Sequence, residues 1–321
     1  MNNADRQLVS ILVITYNSDK YIVETLDSIR LQTYENIELI ISDDCSTDNT
    51  LEIAAKWIDK NRERFTETII INSEINTGVT ENCNRALQKA KGKYLKFIAG
   101  DDLLKSNCIK NNIDFITKSN DVILYSKFEL IDKNSNRITK LAKKESLANL
   151  YSEKFCELTV KEQFKHLIFA SYVNATTDFI QTDFLRNLGG FDSDFSIEDY
   201  PLLLKISGNG YKIKFMPIVT VSYRIHDESI SNKDKEGVFN RKYLKVYPKI
   251  IHKYVGKQYF IRHPLIYLHY LLSHTAKNLT VLSGNRMYFY RCYKLFFLLS
   301  PYYLYKKLYS IIKKEIFLFY Y

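Results

Sequence analysis

The first 126 residues alternate short apolar runs with segments of helical periodicity, and this alternation restricts the possible folds more than any other feature of the chain. The apolar runs are continuous, as in strands buried on both faces, whereas Ile22, Leu26 and Ile29 recur at helical spacing. Strand–helix alternation with short loops predicts an α/β fold in which a mostly parallel sheet is flanked by helices. The predicted strands are residues 8–15, 37–42, 68–72, 94–99 and 121–126.

The remaining predicted elements place a second, less regular part after residue 126. Gly92 is expected to end a helix as its C′ residue, and Asn134-Ser135-Asn136 is expected to turn a hairpin. From about residue 236 the chain becomes helical, aromatic and basic, so we expect one domain over residues 1–235 and an extension over 236–321. The predicted helices are 51–59, 80–91, 106–117, 160–169 and 198–207, and two closing strands are predicted at 212–215 and 219–224.

Cysteines and charge limit the class of protein. Five dispersed cysteines without a CxxC pair indicate buried thiols in a reducing compartment, not a disulfide framework or a zinc site. Residues 241–321 carry 15 Lys and Arg against one acid, a net +14, so residues 1–240 carry about −4 of the total +10. The two parts are therefore expected to face different partners. Nucleic acid is not expected among them, because no binding motif accompanies the charge.

Two pairs of acids follow predicted strands. Asp43-Asp44 and Asp101-Asp102 come directly after strands whose carboxyl ends should meet at one edge of the sheet, where ligands bind in open α/β sheets. Neighbouring carboxylates repel unless a positive or hydrogen-bonding group lies between them. A nucleotide with a divalent cation meets that need. The alternative is that these aspartates only form turns or cap helices.

Five short blocks occur between residues 9 and 231 in a characteristic order. They are VSILVITYN (9–17), ISDDCSTD (41–48), NTG with NRA and AKGKY (76–94), GGFD with EDYPL (189–202) and YRIH with Ser229 and Ser231 (223–231). Together they resemble the family 2 glycosyltransferases, and in particular bacterial enzymes of O-antigen and capsule polysaccharide assembly. The resemblance implies a GT-A fold, with a nucleotide-binding half over residues 1–126 and an acceptor-binding half over 127–235. It also implies a UDP-sugar donor.

The resemblance assigns roles to residues at the predicted carboxyl edge. Tyr16 would stack on or flank the uracil, and Asp44 would accept a hydrogen bond from uracil N3–H. Arg85 or nearby Lys91 would approach the diphosphate, and Asp101 would lie near the ribose. The residues expected to bind the nucleotide sugar are Thr15, Tyr16, Asn17, Asp44, Asn76, Arg85 and Asp101.

A divalent cation, Mn²⁺ or Mg²⁺, is implied by the same resemblance. Asp102 and His226 are the expected ligands, an oxygen and an imidazole nitrogen that suit Mn²⁺ and tolerate Mg²⁺. The sequence departs from the family at Ala99, where many relatives carry a further Asp. His226 could otherwise be an ordinary surface or core histidine.

Glu198-Asp199 is the expected acceptor-side pair, with Gly190 in the block just before it. By resemblance, Asp199 is the general base that takes the proton from the acceptor hydroxyl. That oxygen attacks the anomeric carbon opposite the diphosphate, so the transfer inverts the anomeric centre. The alternative is that both acids simply begin a helix, whose dipole favours negative charge.

The basic extension holds 15 of the 25 tyrosines. Aromatic rings with polar tips and long cationic side chains suit a lipid headgroup region, and residues 288–299 and 302–314 are expected to form interfacial helices on an anionic membrane. The alternative is that the extension packs on the catalytic domain or on a second subunit, as in a homodimer. Apolar stretches at 263–276 and 295–305 are shorter than the roughly 18–20 residues that span a bilayer. We therefore expect a cytoplasmic protein, peripheral at the inner face of the plasma membrane.

The expected reaction moves a hexose or N-acetylhexosamine to an oligosaccharide acceptor, lipid-linked in surface polysaccharide synthesis. One rival is another nucleotide-sugar enzyme, such as a nucleotidyltransferase. The loop Thr15-Tyr16-Asn17-Ser18 lacks the glycines expected of that rival and of a dinucleotide-binding protein. A non-catalytic membrane adaptor is the other rival, and it would not need the acids.

Overall fold

A computed structural model of the chain describes residues 7–171, 173–227, 235–236 and 239–282. The chain divides into two compact units, Met1–His226 and Asp227–Tyr321. Ser229 and Ser231 of the last sequence block, and the segments 288–299 and 302–314 expected at a membrane, lie outside the described residues.

The first part of the first unit alternates strands and helices as predicted. Apart from β5, which was not predicted, and β6, which continues past its predicted end to Ile131, the observed bounds agree with the predicted ones to within a few residues. Continuous apolar runs and helical periodicity are strong signals here. The elements are β1 (Val9–Thr15), α1 (Ile22–Arg30), β2 (Ile37–Asp43), α2 (Thr50–Asn61), β3 (Glu67–Asn72), α3 (Val79–Lys89), β4 (Tyr94–Ala99), β5 (Leu103–Leu104), α4 (Cys108–Ser119) and β6 (Ile123–Ile131).

The second part of this unit contains more helix than the sequence pattern predicts. A 16-residue helix lies between β6 and the predicted helix near residue 160, where no element was expected. The elements are α5 (Ala142–Glu157), α6 (Val160–Leu167), β7 (Phe179–Gln181), α7 (Thr182–Asn187), α8 (Asp199–Gly208) and β8 (Lys214–Arg224).

Eight strands form one mixed sheet in the order β3-β2-β1-β4-β7-β6-β8-β5. Strands β3, β2, β1 and β4 run parallel, as do β6 and β8, whereas β7 and β5 pair antiparallel with their neighbours. The predicted α/β architecture, a sheet flanked by helices, is confirmed. Strands β5 and β7 were not predicted, because strands of two and three residues are too short to show a periodicity.

The core explains why the parallel strands form where they do. Ile11 of β1 and Leu39 of β2 are fully buried, and Leu26 of α1 packs in the same apolar cluster. Each such side chain contributes about 1.5–3 kcal/mol by leaving water. Because β1 is central and buried on both faces, its run is almost continuously apolar.

Two local expectations are wrong, and a third, the hairpin, is met only in part. The two closing strands are one strand, β8, whose pairing with β6 shifts register near Lys127. The expected hairpin is a turn joined by a single bridge, between Ile131 and Arg137. Gly92 does not end a helix, since α3 stops at Lys89. Instead a Cβ at Gly92 would lie 2.5 Å from the backbone nitrogen of Ser10, so glycine is needed for close approach.

The described part of the second unit is mainly helical. Its elements are the antiparallel pair β9 (Lys235–Glu236) and β10 (Phe239–Asn240), followed by α9 (Arg241–Tyr254), α10 (Gly256–Arg262) and α11 (Pro264–Leu282). Tyr247 and Ile250 of α9 are buried, as is Tyr270 of α11, and the two tyrosine rings stack 6.1 Å apart. Among the described residues, no helix combines the length and apolar character that crossing a membrane requires.

Candidate functional site

The carboxyl ends of β1, β2 and β4 meet at one edge of the sheet, as the sequence predicted. Asp44 N–H donates to the carbonyl of Thr15 at 3.0 Å, and Gly100 N–H donates to the carbonyl of Ile14 at 3.0 Å. These bonds place the loops after the three strands side by side. Thr15 itself is buried, and its hydroxyl donates to Asp43 at 2.8 Å.

Asp44 is buried, and protein donors surround its carboxylate. Thr77 N–H donates at 3.0 Å, Gly78 N–H at 2.6 Å and the Arg85 guanidinium at 2.6 Å. Burial alone would raise the pKa of Asp44, but the hydrogen bonds from Thr77, Arg85 and Gly78 outweigh burial and lower it. Asp44 is therefore an ionised acceptor at neutral pH. The expected contact of Arg85 with a diphosphate stays a prediction, since Arg85 pairs here with Asp44.

The loop after β1 is shaped to present Tyr16. Asn17 adopts a positive φ of 52°, its N–H donates to Ser46 at 2.8 Å, and its side chain accepts from Thr47 N–H at 2.8 Å. Tyr16, next to this fixed residue, is 47% exposed. Asn76, between β3 and α3, is also exposed. The expected contacts of both with a nucleotide stay predictions.

Lys91 does not lie at this edge. It precedes β4, and its ammonium pairs with Glu67 at the start of β3 at 2.6 Å. The amino ends of parallel strands lie at the opposite edge from their carboxyl ends. The suggestion that Lys91 approaches a diphosphate is therefore wrong.

Asp101 and His226 are brought together from residues 125 positions apart. His226 Nε2 lies 2.8 Å from Asp101 Oδ2. His226 follows β8, and the Asp101 side chain retains 26% exposure. One carboxylate oxygen and one imidazole nitrogen thus converge at the carboxyl edge of the sheet.

Asp102 points into the protein instead. Its side chain is fully buried, Oδ1 accepts from Arg224 N–H at 2.8 Å, and Oδ2 has no hydrogen-bond partner among the described residues. Burial and the neighbouring Asp101 raise the pKa of Asp102 well above its ordinary value, although the Arg224 N–H opposes this. The sequence predicts that Asp102 binds a metal together with His226. In the structure, Asp101 lies next to His226 and is better placed for this role.

Asp101 and His226 fit a divalent cation in donor chemistry, since a carboxylate and an imidazole suit Mn²⁺ and are compatible with Mg²⁺. No cluster of three or more His, Cys, Asp or Glu that could hold a metal occurs in the described part of the chain. The protein would therefore supply two ligands, and phosphate oxygens or water would have to supply the rest.

Glu198 and Asp199 stand at the start of α8, where both are partly buried. Asp199 Oδ1 accepts from Tyr200 N–H at 2.7 Å, as at a helix N-terminus. Burial, the adjacent Asp199 carboxylate and Asp178 raise the pKa of Glu198 to about 8. Burial also raises the pKa of Asp199. A carboxylate with a raised pKa is better suited to take a proton near neutral pH than an ordinary one.

Gly190 shapes the loop before α8. Its φ is 69°, and a Cβ there would lie 2.7 Å from Asn84 Oδ1. Asn84 in turn holds the loop by accepting from Phe191 N–H at 3.0 Å and donating to the Phe191 carbonyl at 3.0 Å. The third and fourth sequence blocks are therefore in direct contact, which the sequence order does not show.

Two buried cations were missed by the sequence reasoning. Lys96 in β4 is fully buried, and its ammonium donates to the carbonyl of Thr176 at 2.5 Å and lies 3.6 Å from Asp178 Oδ1. Burial raises the pKa of Asp178 to about 6, although Lys96 opposes this. Arg224, the second cation, is 1% exposed. A lysine inside a predicted buried strand is a signal that could have marked Lys96.

Solved structures with the same architecture identify the fold as GT-A. S. aureus TarS 1-349 in complex with UDP-GlcNAc superposes with a TM-score of 0.61 at 22% identity, over 86% of this chain and 75% of the TarS 1-349 chain. The mannosyltransferase PcManGT from Pyrobaculum calidifontis, in complex with GDP-Man and Mn²⁺, gives a TM-score of 0.56 at 16% identity, over 98% and 81%. At these identities the likeness shows the fold, and that fold is GT-A.

The chain belongs to glycosyl transferase family 2, whose family model matches residues 10–179. An uncharacterized glycosyltransferase of Rickettsia typhi is 30% identical over 72% of this chain and 68% of its own length. The Escherichia coli protein WfaP, a UDP-Glc:alpha-D-GlcNAc-diphosphoundecaprenol beta-1,3-glucosyltransferase, is 30% identical over 74% of this chain and 86% of its own length. The predicted family is confirmed.

Proposed function

We propose that this chain transfers a hexose or N-acetylhexosamine from a UDP-sugar to a lipid-linked oligosaccharide, with inversion at the anomeric carbon. The observation that carries the proposal is the carboxyl edge of the sheet, where Asp44 and the Asp101–His226 pair come from separate loops. The likeness to WfaP, named as a UDP-glucose-dependent enzyme with a diphosphoundecaprenol-linked acceptor, supports the donor and acceptor classes.

On the donor side, Tyr16 and Asp44 would receive the nucleotide base, with Thr15, Asn17 and Asn76 in the surrounding loops. The exposure of Tyr16 leaves its ring accessible for stacking. Asp44 is ionised and can accept an N–H, although Thr77, Gly78 and Arg85 already donate to it. Arg85 therefore competes with the base, or turns toward the phosphates when the donor binds.

Mn²⁺ or Mg²⁺ would be held by Asp101 and His226, with Asp102 buried beneath them. A bound divalent cation would stabilise the charge that develops on the leaving diphosphate. Arg224 N–H keeps the Asp102 side chain turned inward, which leaves Asp101 to face the site.

On the acceptor side, Asp199 would act as the general base, and Glu198 would keep a proton near neutral pH. A pair with one ionised and one protonated carboxyl avoids the repulsion of two adjacent charges. The ionised member takes the acceptor proton as the hydroxyl oxygen forms the new glycosidic bond and UDP leaves. Gly190 and Asn84 hold the loop that leads to this pair.

The domain over residues 1–235 would carry this chemistry, and the basic extension would bind the anionic cytoplasmic face of the plasma membrane. A lipid-linked acceptor lies at such a surface, so the extension would bring the site to its substrate. Eight Lys and Arg and no acid fall within residues 241–282.

The proposal is tested by adding UDP-sugars and GDP-mannose to the purified chain with Mn²⁺, Mg²⁺ or a chelator. A donor present at about 100 times its dissociation constant should stabilise the fold by about 2.7 kcal/mol, seen as a raised melting temperature. We expect this for a UDP-sugar with metal and not for GDP-mannose. No shift with any UDP-sugar, or an equal shift with GDP-mannose, contradicts the donor assignment.

The base is tested separately. Asp199→Asn should lower the transfer rate by about 10²- to 10⁴-fold without loss of donor binding, because the amide cannot take a proton. Asp59→Asn is the control, because the Asp59 side chain is exposed on α2, outside the site. Wild-type rates in Asp199→Asn would rule out its role as the base.

A further inference from the structure

Arg224 joins the loop after β4 to the end of β8. Its backbone N–H donates to Asp102 Oδ1 at 2.8 Å, and its Nε donates to the carbonyl of Asp101 at 2.6 Å. The loop is therefore fixed at two successive residues by one arginine. With Asp102 held inward and the Asp101 carbonyl held by the guanidinium, the Asp101 carboxylate is directed toward His226.

The rest of the guanidinium is fixed by two other elements. Nη2 donates to Glu24 of α1 at 3.0 Å, and Nη1 donates to the hydroxyl of Ser135 at 2.9 Å, in the turn after β6. Ser135 also donates to Glu24. The planar guanidinium presents its donors in a rigid fork, so these bonds determine its orientation.

Tyr21, which immediately precedes α1, connects Arg224 to the histidine. Arg224 Cζ lies 4.6 Å from the centre of the Tyr21 ring, within the range of a cation–π contact. The same ring lies 4.8 Å from the imidazole of His226, tilted by 46°. Tyr21 thus contacts both a fixed cation and the ring that faces Asp101.

We infer that Tyr21 and Arg224 are positioning residues for the divalent cation site, an inference that rests on the proposed function. Arg224 sets the direction in which the loop presents Asp101, and Tyr21 sets the orientation of the His226 imidazole. Groups behind metal ligands commonly determine metal affinity, since they fix ligand orientation before the metal binds.

The test measures Mn²⁺ affinity by isothermal titration calorimetry in the presence of saturating UDP, on the full chain. Tyr21→Leu should raise the Mn²⁺ dissociation constant about 10-fold. Arg224→Lys should raise it by a similar factor, because an ammonium group lacks the planar set of donors that a guanidinium presents. Tyr21→Phe should keep the wild-type value, since the contacts are made by the ring. UDP affinity measured without metal should stay within about twofold in Tyr21→Leu, since Tyr21 acts through a metal ligand.

Arg64→Lys is the matched control for Arg224→Lys, since it also replaces a hydrogen-bonded guanidinium by an ammonium. Arg64 donates to the carbonyls of Arg30 and Gln32 and lies 5.6 Å from the Phe65 ring, away from the acids. Its loss should lower the melting temperature and leave Mn²⁺ affinity unchanged. Glu24→Gln is a second variant that should fold, because Glu24 is 47% exposed. We expect a roughly threefold weaker Mn²⁺ affinity in it.

Each outcome decides the inference. Wild-type Mn²⁺ affinity in folded Tyr21→Leu, or in Glu24→Gln if Tyr21→Leu does not fold, overturns it and leaves the proposed function intact. Equal loss in Tyr21→Phe and Tyr21→Leu also overturns it, since the ring contact would then not be the cause. Absence of UDP-dependent Mn²⁺ binding in the wild type overturns the inference and the proposed metal dependence together.

Discussion

At the scale of single residues, Glu198 is a carboxyl group whose environment opposes its charge. Burial is the largest cause of its raised pKa, about 8, and the carboxylates of Asp199 and Asp178 raise the pKa further. Between its ordinary pKa of 4.5 and about 8, the folded chain keeps a proton that the unfolded chain has released. The contribution of Glu198 to stability should therefore fall as pH rises through this range.

Glu198→Gln removes this titration, so the variant should lose less stability than the wild type between about pH 5 and pH 8. The measurement is the free energy of unfolding in urea at several pH values. Glu157→Gln, at the end of α5, serves as the control for removing one carboxylate. Parallel pH profiles for Glu198→Gln and the wild type would show that burial does not hold the proton on Glu198.

Gly190 offers a second prediction at this scale, with Gly210 as its matched control. Both have positive φ, 69° and 86°, but a Cβ at Gly190 meets Asn84 whereas one at Gly210 meets nothing within 4 Å. Gly210→Ala should cost about 1–2 kcal/mol from backbone strain alone. Gly190→Ala should cost about 2–4 kcal/mol, because Asn84 must also give up its hydrogen bonds. If both variants lose the same free energy of unfolding in urea, Asn84 moves aside without an energetic cost.

At the scale of elements, β4 is tied to the segment before β7 through Lys96. The ammonium bonds the carbonyls of Thr176 and Asp178 and pairs with the Asp178 carboxylate. Removing one partner of a buried pair leaves the other charge uncompensated, whereas removing both is often tolerated. The Lys96–Asp178 pair therefore determines how β4 packs against the segment before β7, and it adds little net stability.

Lys96→Met should destabilise the fold by about 3–5 kcal/mol at pH 8, and Lys96→Met combined with Asp178→Asn should recover part of that loss. The loss should be smaller at pH 5, because the pKa of Asp178, already about 6, lets the carboxyl take a proton. Urea denaturation of both variants at the two pH values is the measurement. A double variant no more stable than Lys96→Met would refute the ion-pair explanation.

At the scale of the whole molecule, charge separates the two ends of the chain. Residues 241–321 carry a net +14. In the second unit, Ile261 of α10 and Leu265 and Leu268 of α11 are exposed, with 78%, 44% and 42% of their surfaces accessible. Cations beside exposed apolar side chains are the combination that binds anionic lipid surfaces.

The membrane proposal predicts that the full chain sediments with phosphatidylglycerol vesicles and not with phosphatidylcholine vesicles. Replacing exposed Lys249, Lys257 and Arg262 by Gln should weaken binding about 10-fold or more, at about 1 kcal/mol for each cation. Replacing three exposed cations of α2 and its end, Lys56, Lys60 and Arg62, is the charge-matched control and should leave binding unchanged. Equal effects of the two triple variants would point to general charge attraction, and no vesicle binding would favour packing on protein.

Sequence patterns located most of the elements that build the site. Strands β1, β2 and β4 are detectable because both of their faces are buried, and the acids that follow them are visible as pairs. The sequence does not reveal that Asp101 faces His226 while Asp102 points into the protein, because two adjacent aspartates have the same local sequence context. This difference depends on Arg224, more than 100 residues later in the chain.

The sequence by itself determined the α/β class, the family and the sheet edge at which the acids gather, because these depend on local periodicity and on motif order. Tertiary structure alone decided which acid faces His226, that Arg85 pairs with Asp44, and that Lys96 is buried against Asp178. The physical reason is that hydrogen bonds and burial act between residues distant in sequence. A side chain's direction and charge state are set only when the fold brings those partners together.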